Sequence, residues 1–116
     1  MGFLTTHVLD TASGKPGAGI LVELYRLGDQ RVLLATVRTN GDGRCEQPLL
    51  TEDAFQAGEY ELVFHAGDYF SARGESLPSP PFLDQVVIRF GIASPDQHYH
   101  VPLLISPFGY STYRGS

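Results

Sequence analysis

The chain has 116 residues, with 8 Lys and Arg against 13 Asp and Glu for a net charge of -5 and no basic run, so the electrostatic footprint of a nucleic-acid binder is missing. Hydrophobic residues make up 42% and charged residues 18%, with 13 Gly and 8 Pro, which argues against disorder and suits short strands joined by turns in a single domain over residues 1–116. Cys45 is the one cysteine, which excludes an internal disulfide framework and a thiolate metal cluster, and no apolar run approaches the ~20 residues of a membrane span.

Along the chain, His7 falls in an N-terminal strand flanked by threonines. Residues 20–27 read as a second strand, with Glu23 and Arg26 among apolar positions, and residues 32–39 as a third. Asn40-Gly41-Asp42-Gly43 then doubles a strong turn dipeptide. Residues 51–57 are the expected helix of about two turns: Thr51 can cap it, Glu52 and Asp53 suit its first turn, and Gly58 can end it. Residues 60–65 alternate as a half-buried strand, which residues 68–73 continue after a turn at Gly67. A stiff connection spans Pro78 to Pro81, and residues 85–90 and 99–105 supply further strands. This spacing, with one short helix, predicts an all-β sandwich with Greek-key connections and seven to eight strands. Pro102 has no N–H for a ladder, so its strand is expected at an edge or bulged there.

Several residues carry chemistry only in combination. Alone, His7 reads as a satisfied structural histidine, Arg44 as a surface charge beside a turn, His65 as a mid-strand structural residue and Cys45 as a small, partly buried apolar side chain. His98 and His100 lie two apart, so a strand's period puts both rings on one face, a known way to present imidazoles to zinc. A third ligand is missing nearby, and His98 is placed beside a site rather than in a metal centre. The glycines of residues 41–43 join two strands with no following helix and form no phosphate cradle, and no Gly-x-Ser-x-Gly elbow occurs. The closing Tyr113-Arg114-Gly115-Ser116 is too rich in functional groups for a disposable tail.

Four blocks together are more specific than any of these. Leu4-Thr5-Thr6-His7-Val8-Leu9-Asp10-Thr11 with Gly14-Lys15-Pro16, Thr39-Asn40-Gly41-Asp42-Gly43-Arg44, His98-Tyr99-His100-Val101-Pro102-Leu103-Leu104 and the terminal Tyr-Arg-Gly-Ser come in that order. The chain thereby resembles, over nearly its whole length, the 5-hydroxyisourate hydrolases, transthyretin-like enzymes of purine breakdown. Gly17, where that family often has Ala, is a small departure.

The resemblance implies a transthyretin-like Greek-key sandwich with His7, Arg44 and His100 as catalytic residues. It also implies a substrate-binding tail of Tyr113, Arg114, Gly115 and Ser116, to which we add the nearby hydroxyl of Ser111. It further implies 5-hydroxyisourate as substrate, no metal or cofactor, and a homotetramer built as a dimer of dimers with sites between the dimers. No nucleic-acid or membrane partner is expected, and with one cysteine and no secretory segment ahead of the first motif the expected location is the cytoplasm. The competing readings are a transthyretin-like carrier without catalysis and a structural or adhesive sandwich.

Overall fold

The computed structural model describes residues 2–115. Its elements are β1 (Phe3–Asp10), β2 (Lys15–Pro16), β3 (Leu21–Leu27), β4 (Val32–Arg38), β5 (Leu50–Thr51), β6 (Gly58–His65), α1 (Ala66–Ala72), β7 (Gln85–Ile92), β8 (Tyr99–Ser106) and β9 (Gly109–Thr112). Seven of these strands run four residues or more, and the two-residue pieces β2 and β5 bring the described number to nine.

Two sheets form a sandwich. One has the order β2-β1-β8-β9, with β5 also pairing β1, and the other the order β4-β3-β6-β7. The chain passes from the first sheet to the second after β2, returns with β5, crosses again for β6 and β7, and comes back for β8 and β9, a Greek-key path. β1 and β8, from opposite ends of the chain, pair in parallel from Leu4 opposite Tyr99 to Asp10 opposite Ile105.

Period-two alternation builds the core. Leu4 and Val8 of β1 and Val101, Leu103 and Ile105 of β8 point inward against Val22 and Leu24 of β3, Leu62 and Phe64 of β6, and Val86 and Ile88 of β7. Each such side chain taken out of water stabilises the fold by about 1.5–3 kcal/mol. Alternation then forces Thr5, His7 and Leu9 of β1, and His100 and Leu104 of β8, onto the outer face of the first sheet.

Two sequence expectations fail. Residues 51–57 do not form the helix: after β5 comes a three-residue 3-10 turn, Glu52–Ala54, which Thr51 does not cap with its side chain. The helix is α1, Ala66–Ala72, which takes in most of the segment 68–73 read as a strand. Tyr69 and Phe70 favour strands by type, but with Ala66 they are buried at helical spacing, so tertiary burial decided against local propensity. Gly67 marks a close approach, since a Cβ there would lie 2.8 Å from Asp84 Oδ1. The helix is tied to β1 by Tyr69, whose hydroxyl donates to buried Asp10 at 2.9 Å, while Asp10 also accepts from the backbone N–H groups of Ala12 and Ser13. Burial and then this hydrogen bond push the Tyr69 phenol up to about 12.

Pro102 is the second correction, because β8 is an interior strand between β1 and β9. The missing N–H shows instead as a gap in one ladder. β9 pairs with β8 from Ser106 opposite Gly109 to Leu103 opposite Thr112, and the chain rejoins in the same register only at Gly115, opposite His100. Thr112 Oγ1 donates to the Pro102 carbonyl at 2.8 Å and closes the strand there.

Candidate functional site

The outer face of the β1–β8 pair gathers residues from three distant blocks. His7 and His100 come from adjacent strands, with Thr5 the direct partner of His100 and Pro102 the direct partner of His7, so the two rings are diagonal neighbours on one face. Both are half-buried.

Arg44 reaches this face through the chemistry of its turn. Asn40 Oδ1 accepts from the backbone N–H groups of Asp42 at 2.9 Å and Arg44 at 3.1 Å, and the Asn40 N–H donates to the Arg44 carbonyl at 2.7 Å. Gly43 takes φ +75° and its carbonyl accepts from the Val8 N–H at 2.8 Å, which lays the segment along β1 between its pairings with β5 and β2. Arg44 consequently bridges directly to His7. Its guanidinium forms no ion pair among the described residues, whereas Arg31, Arg73 and Arg89 each face a carboxylate.

Burial and that free cation together set the electrostatics. His7 is held below the ordinary imidazole value first by burial and then by Arg44, with the Asp42 carbonyl and carboxylate pulling weakly the other way. His100 is lowered by burial, then Arg44, then the neighbouring His98 and His7. Near neutral pH the face therefore presents two neutral imidazoles beside one fixed positive charge. Such a set can take a proton from water and stabilise a developing oxyanion.

The tail meets this face at one point. The Gly115 N–H donates to the His100 carbonyl at 2.7 Å, and a Cβ on Gly115 would lie 2.7 Å from Cδ2 of the His100 ring, so glycine is required for this approach. Arg114, expected to face the substrate, is turned away from the histidines by the alternation that aims Gly115 at them. Its guanidinium stacks 3.9 Å above the Tyr99 ring and donates to Gln97 and to the His98 carbonyl. Tyr113 is largely exposed and borders, with Arg114, a 240 Å³ groove lined by Ile88, Phe90, Tyr99 and Val101 at the open edge between the sheets. Ser111 is exposed opposite Leu104, further along the outer face. Ser116 lies outside the described residues.

His98 shares the face with His100, their ring centroids 6.2 Å apart, and stacks on Phe3 at 4.2 Å. Among the described residues no three His, Cys, Asp or Glu side chains converge to hold a metal ion. His65 lies on the other sheet, bonded to Glu23 at 2.8 Å. Cys45 packs half-buried against the core, and burial pushes its thiol up. Sequence reasoning missed Asn40 as the residue that aims Arg44, although an Asn two residues before an Asp in a glycine turn is a signal for it. It also missed Thr5, which bonds both His98 and His100. Its signal was there in the period of two from His7.

Comparison with known proteins identifies the family. The family model described as HIUase/Transthyretin family matches residues 4–115. A 5-hydroxyisourate hydrolase of Pseudomonas aeruginosa is 68% identical over 117 residues, covering 100% of this chain and 93% of that protein. One of Mus musculus is 46% identical over 116 residues, covering 97% and 94%. Among solved structures, the 5-hydroxyisourate hydrolase of Klebsiella pneumoniae superposes with a TM-score of 0.83 at 36% identity, covering all of both chains. An (S)-allantoin synthase superposes with a TM-score of 0.95 at 48% identity over 99% of this chain, which spans 44% of that longer one. Sea bream transthyretin in complex with thyroxine superposes with a TM-score of 0.86 at 28% identity, covering 97% and 93%. With its sandwich, its family match and its full-length relatives in accord, this chain belongs to the HIUase/transthyretin family.

Proposed function

We propose that this chain is a hydrolase that opens 5-hydroxyisourate to 2-oxo-4-hydroxy-4-carboxy-5-ureidoimidazoline in urate degradation. The observation that carries this reading is Arg44 set without an ion pair, among the described residues, beside two histidines whose pKa it lowers. One imidazole takes a proton from water as its oxygen bonds to the carbonyl carbon of the six-membered ring. The other orients that water or protonates the ring nitrogen as the carbon–nitrogen bond breaks. Arg44 stabilises the oxyanion in between. General acid-base catalysis contributes about 10²–10⁴-fold and a well-placed oxyanion donor about 10²–10³-fold, and neither factor calls on a metal or a covalent intermediate.

The site lies open on the outer face of one sheet, and exposed Phe108 and Tyr110 stand at the β8–β9 turn of the same sheet, which supports completion by further copies as a homotetramer, a dimer of dimers. Ser111 and Tyr113–Ser116 are proposed to contact substrate, with Gly115 backing His100 and Arg114 acting from the tail's other face. A free, half-buried thiol suits a reducing cytoplasm, and no described helix is long and apolar enough to cross a membrane.

The test is ultraviolet decay of freshly generated 5-hydroxyisourate with catalytic amounts of protein, before and after exhaustive chelation. Accelerated decay that survives chelation is expected. Ligand binding without turnover would favour the carrier reading, and loss restored by zinc would move His98 and His100 into a metal centre.

A further inference from the structure

Thr5 Oγ1 sits 2.7 Å from His100 Nδ1 and 2.8 Å from His98 Nε2. A hydroxyl has one proton to donate, so it can give to one ring only and must accept from the other. The fold enforces this meeting: Thr5 is the direct partner of His100 across the β1–β8 ladder, and His98, two residues earlier, shows its ring on the same face. Both rings are pinned. Phe3 stacks on His98 at an interplanar angle of 26°, and Gly115 lies against Cδ2 of His100. With Nδ1 engaged and Cδ2 backed by the tail, Nε2 is the nitrogen of His100 left to face a bound molecule.

We infer that Thr5 is a positioning residue that accepts from His100 Nδ1–H, holding that tautomer, and donates its own hydroxyl hydrogen bond to His98 Nε2, leaving a bare lone pair on His100 Nε2. A neutral imidazole has two tautomers, and the partner of one nitrogen decides which form the other presents. The reverse arrangement, with Thr5 donating to His100 Nδ1, leaves a hydrogen on Nε2 and no lone pair to accept a proton from water. His98 is the acceptor in the useful arrangement, which gives this histidine a role without a metal.

The consequence for turnover rests on the hydrolase reading, but the tautomer is read without substrate, so the two fail separately. Long-range ¹H–¹⁵N correlation spectra of the full chain, taken about one unit above the ordinary imidazole pKa, report which nitrogen carries the hydrogen. His100 should appear as Nδ1–H in the wild type and in Thr5→Ser, and as a mixture in Thr5→Val. His98→Phe keeps an aromatic ring for Phe3 but frees the hydroxyl to donate to His100, so it too should lose the pure Nδ1–H form. With 5-hydroxyisourate, Thr5→Val should lower kcat by about 10-fold, part of the general-base factor, with KM little changed, and Thr5→Ser should restore it. An Nε2–H or mixed His100 in the wild type, an unchanged tautomer in folded Thr5→Val or in His98→Phe, or wild-type kcat in Thr5→Val would each overturn the inference.

Discussion

The two sheets each show histidine on their outer face, in opposite surroundings. On the second sheet His65 is bonded to Glu23 at 2.8 Å, its hydrogen bond holds that carboxyl below the usual carboxylate range, and nearby Glu61 is flanked by Arg31 and Arg89. Each carboxylate in that network has a hydrogen-bonding partner. On the first sheet His7 and His100 face Arg44 and one another, with no carboxylate in hydrogen bond to either ring among the described residues. Here the histidine bonded to an acid lies away from the site, whereas the two that are partly buried beside a cation are held toward the neutral form that can take a proton.

The comparison breaks most visibly by substitution. Arg44→Gln, His7→Asn and His100→Asn should each lower turnover of 5-hydroxyisourate by at least about 10² with little change in thermal unfolding, because each removes a proton carrier or the oxyanion's cation. His65→Asn should leave turnover near wild type and lower stability by about 1 kcal/mol or less. Equal losses of activity on the two faces would erase the distinction.

Gly115→Ala sharpens the account of the tail. The added methyl must displace the His100 ring, so turnover should fall by about 10-fold or more while the melting temperature barely moves. Deleting residues 113–116 should do at least as much. Full turnover by the truncated protein, with assembly confirmed by light scattering, would leave only His7, Arg44 and His100 in the site.

A smaller, purely structural effect belongs to the Asp10 network. Tyr69→Phe removes the hydroxyl donor to a buried carboxylate and should cost about 1–3 kcal/mol in denaturant unfolding, with activity kept.

How far the sequence could be read follows the same physics. Strands with clean alternation, such as Phe3–Asp10 and Leu21–Leu27, are legible because burial has a period of two. The helix was misplaced because Thr51, Glu52 and Asp53 carry local helix-start signals that no packing supports, while Ala66–Ala72 is helical only through burial against the sandwich. His7, Arg44 and His100 were reached through motif blocks, since nothing local reveals that residues 7, 44 and 100 meet. Thr5 and the outward turn of Arg114 depend on register across the β1–β8 pair and along the tail, which spacing alone does not fix.

Burial first and Arg44 second hold two imidazoles neutral for use, and the pH dependence of kcat/KM in wild type and Arg44→Gln tests the part played by the cation most directly. A base whose pKa is lowered stays unprotonated further into acid, so the acid limb of the wild-type profile should lie below pH 6.5, the ordinary imidazole value. Removing the cation should move that limb upward, burial alone keeping it from the full ordinary value. A wild-type limb at or above the ordinary value, or one that Arg44→Gln leaves in place, would contradict the account.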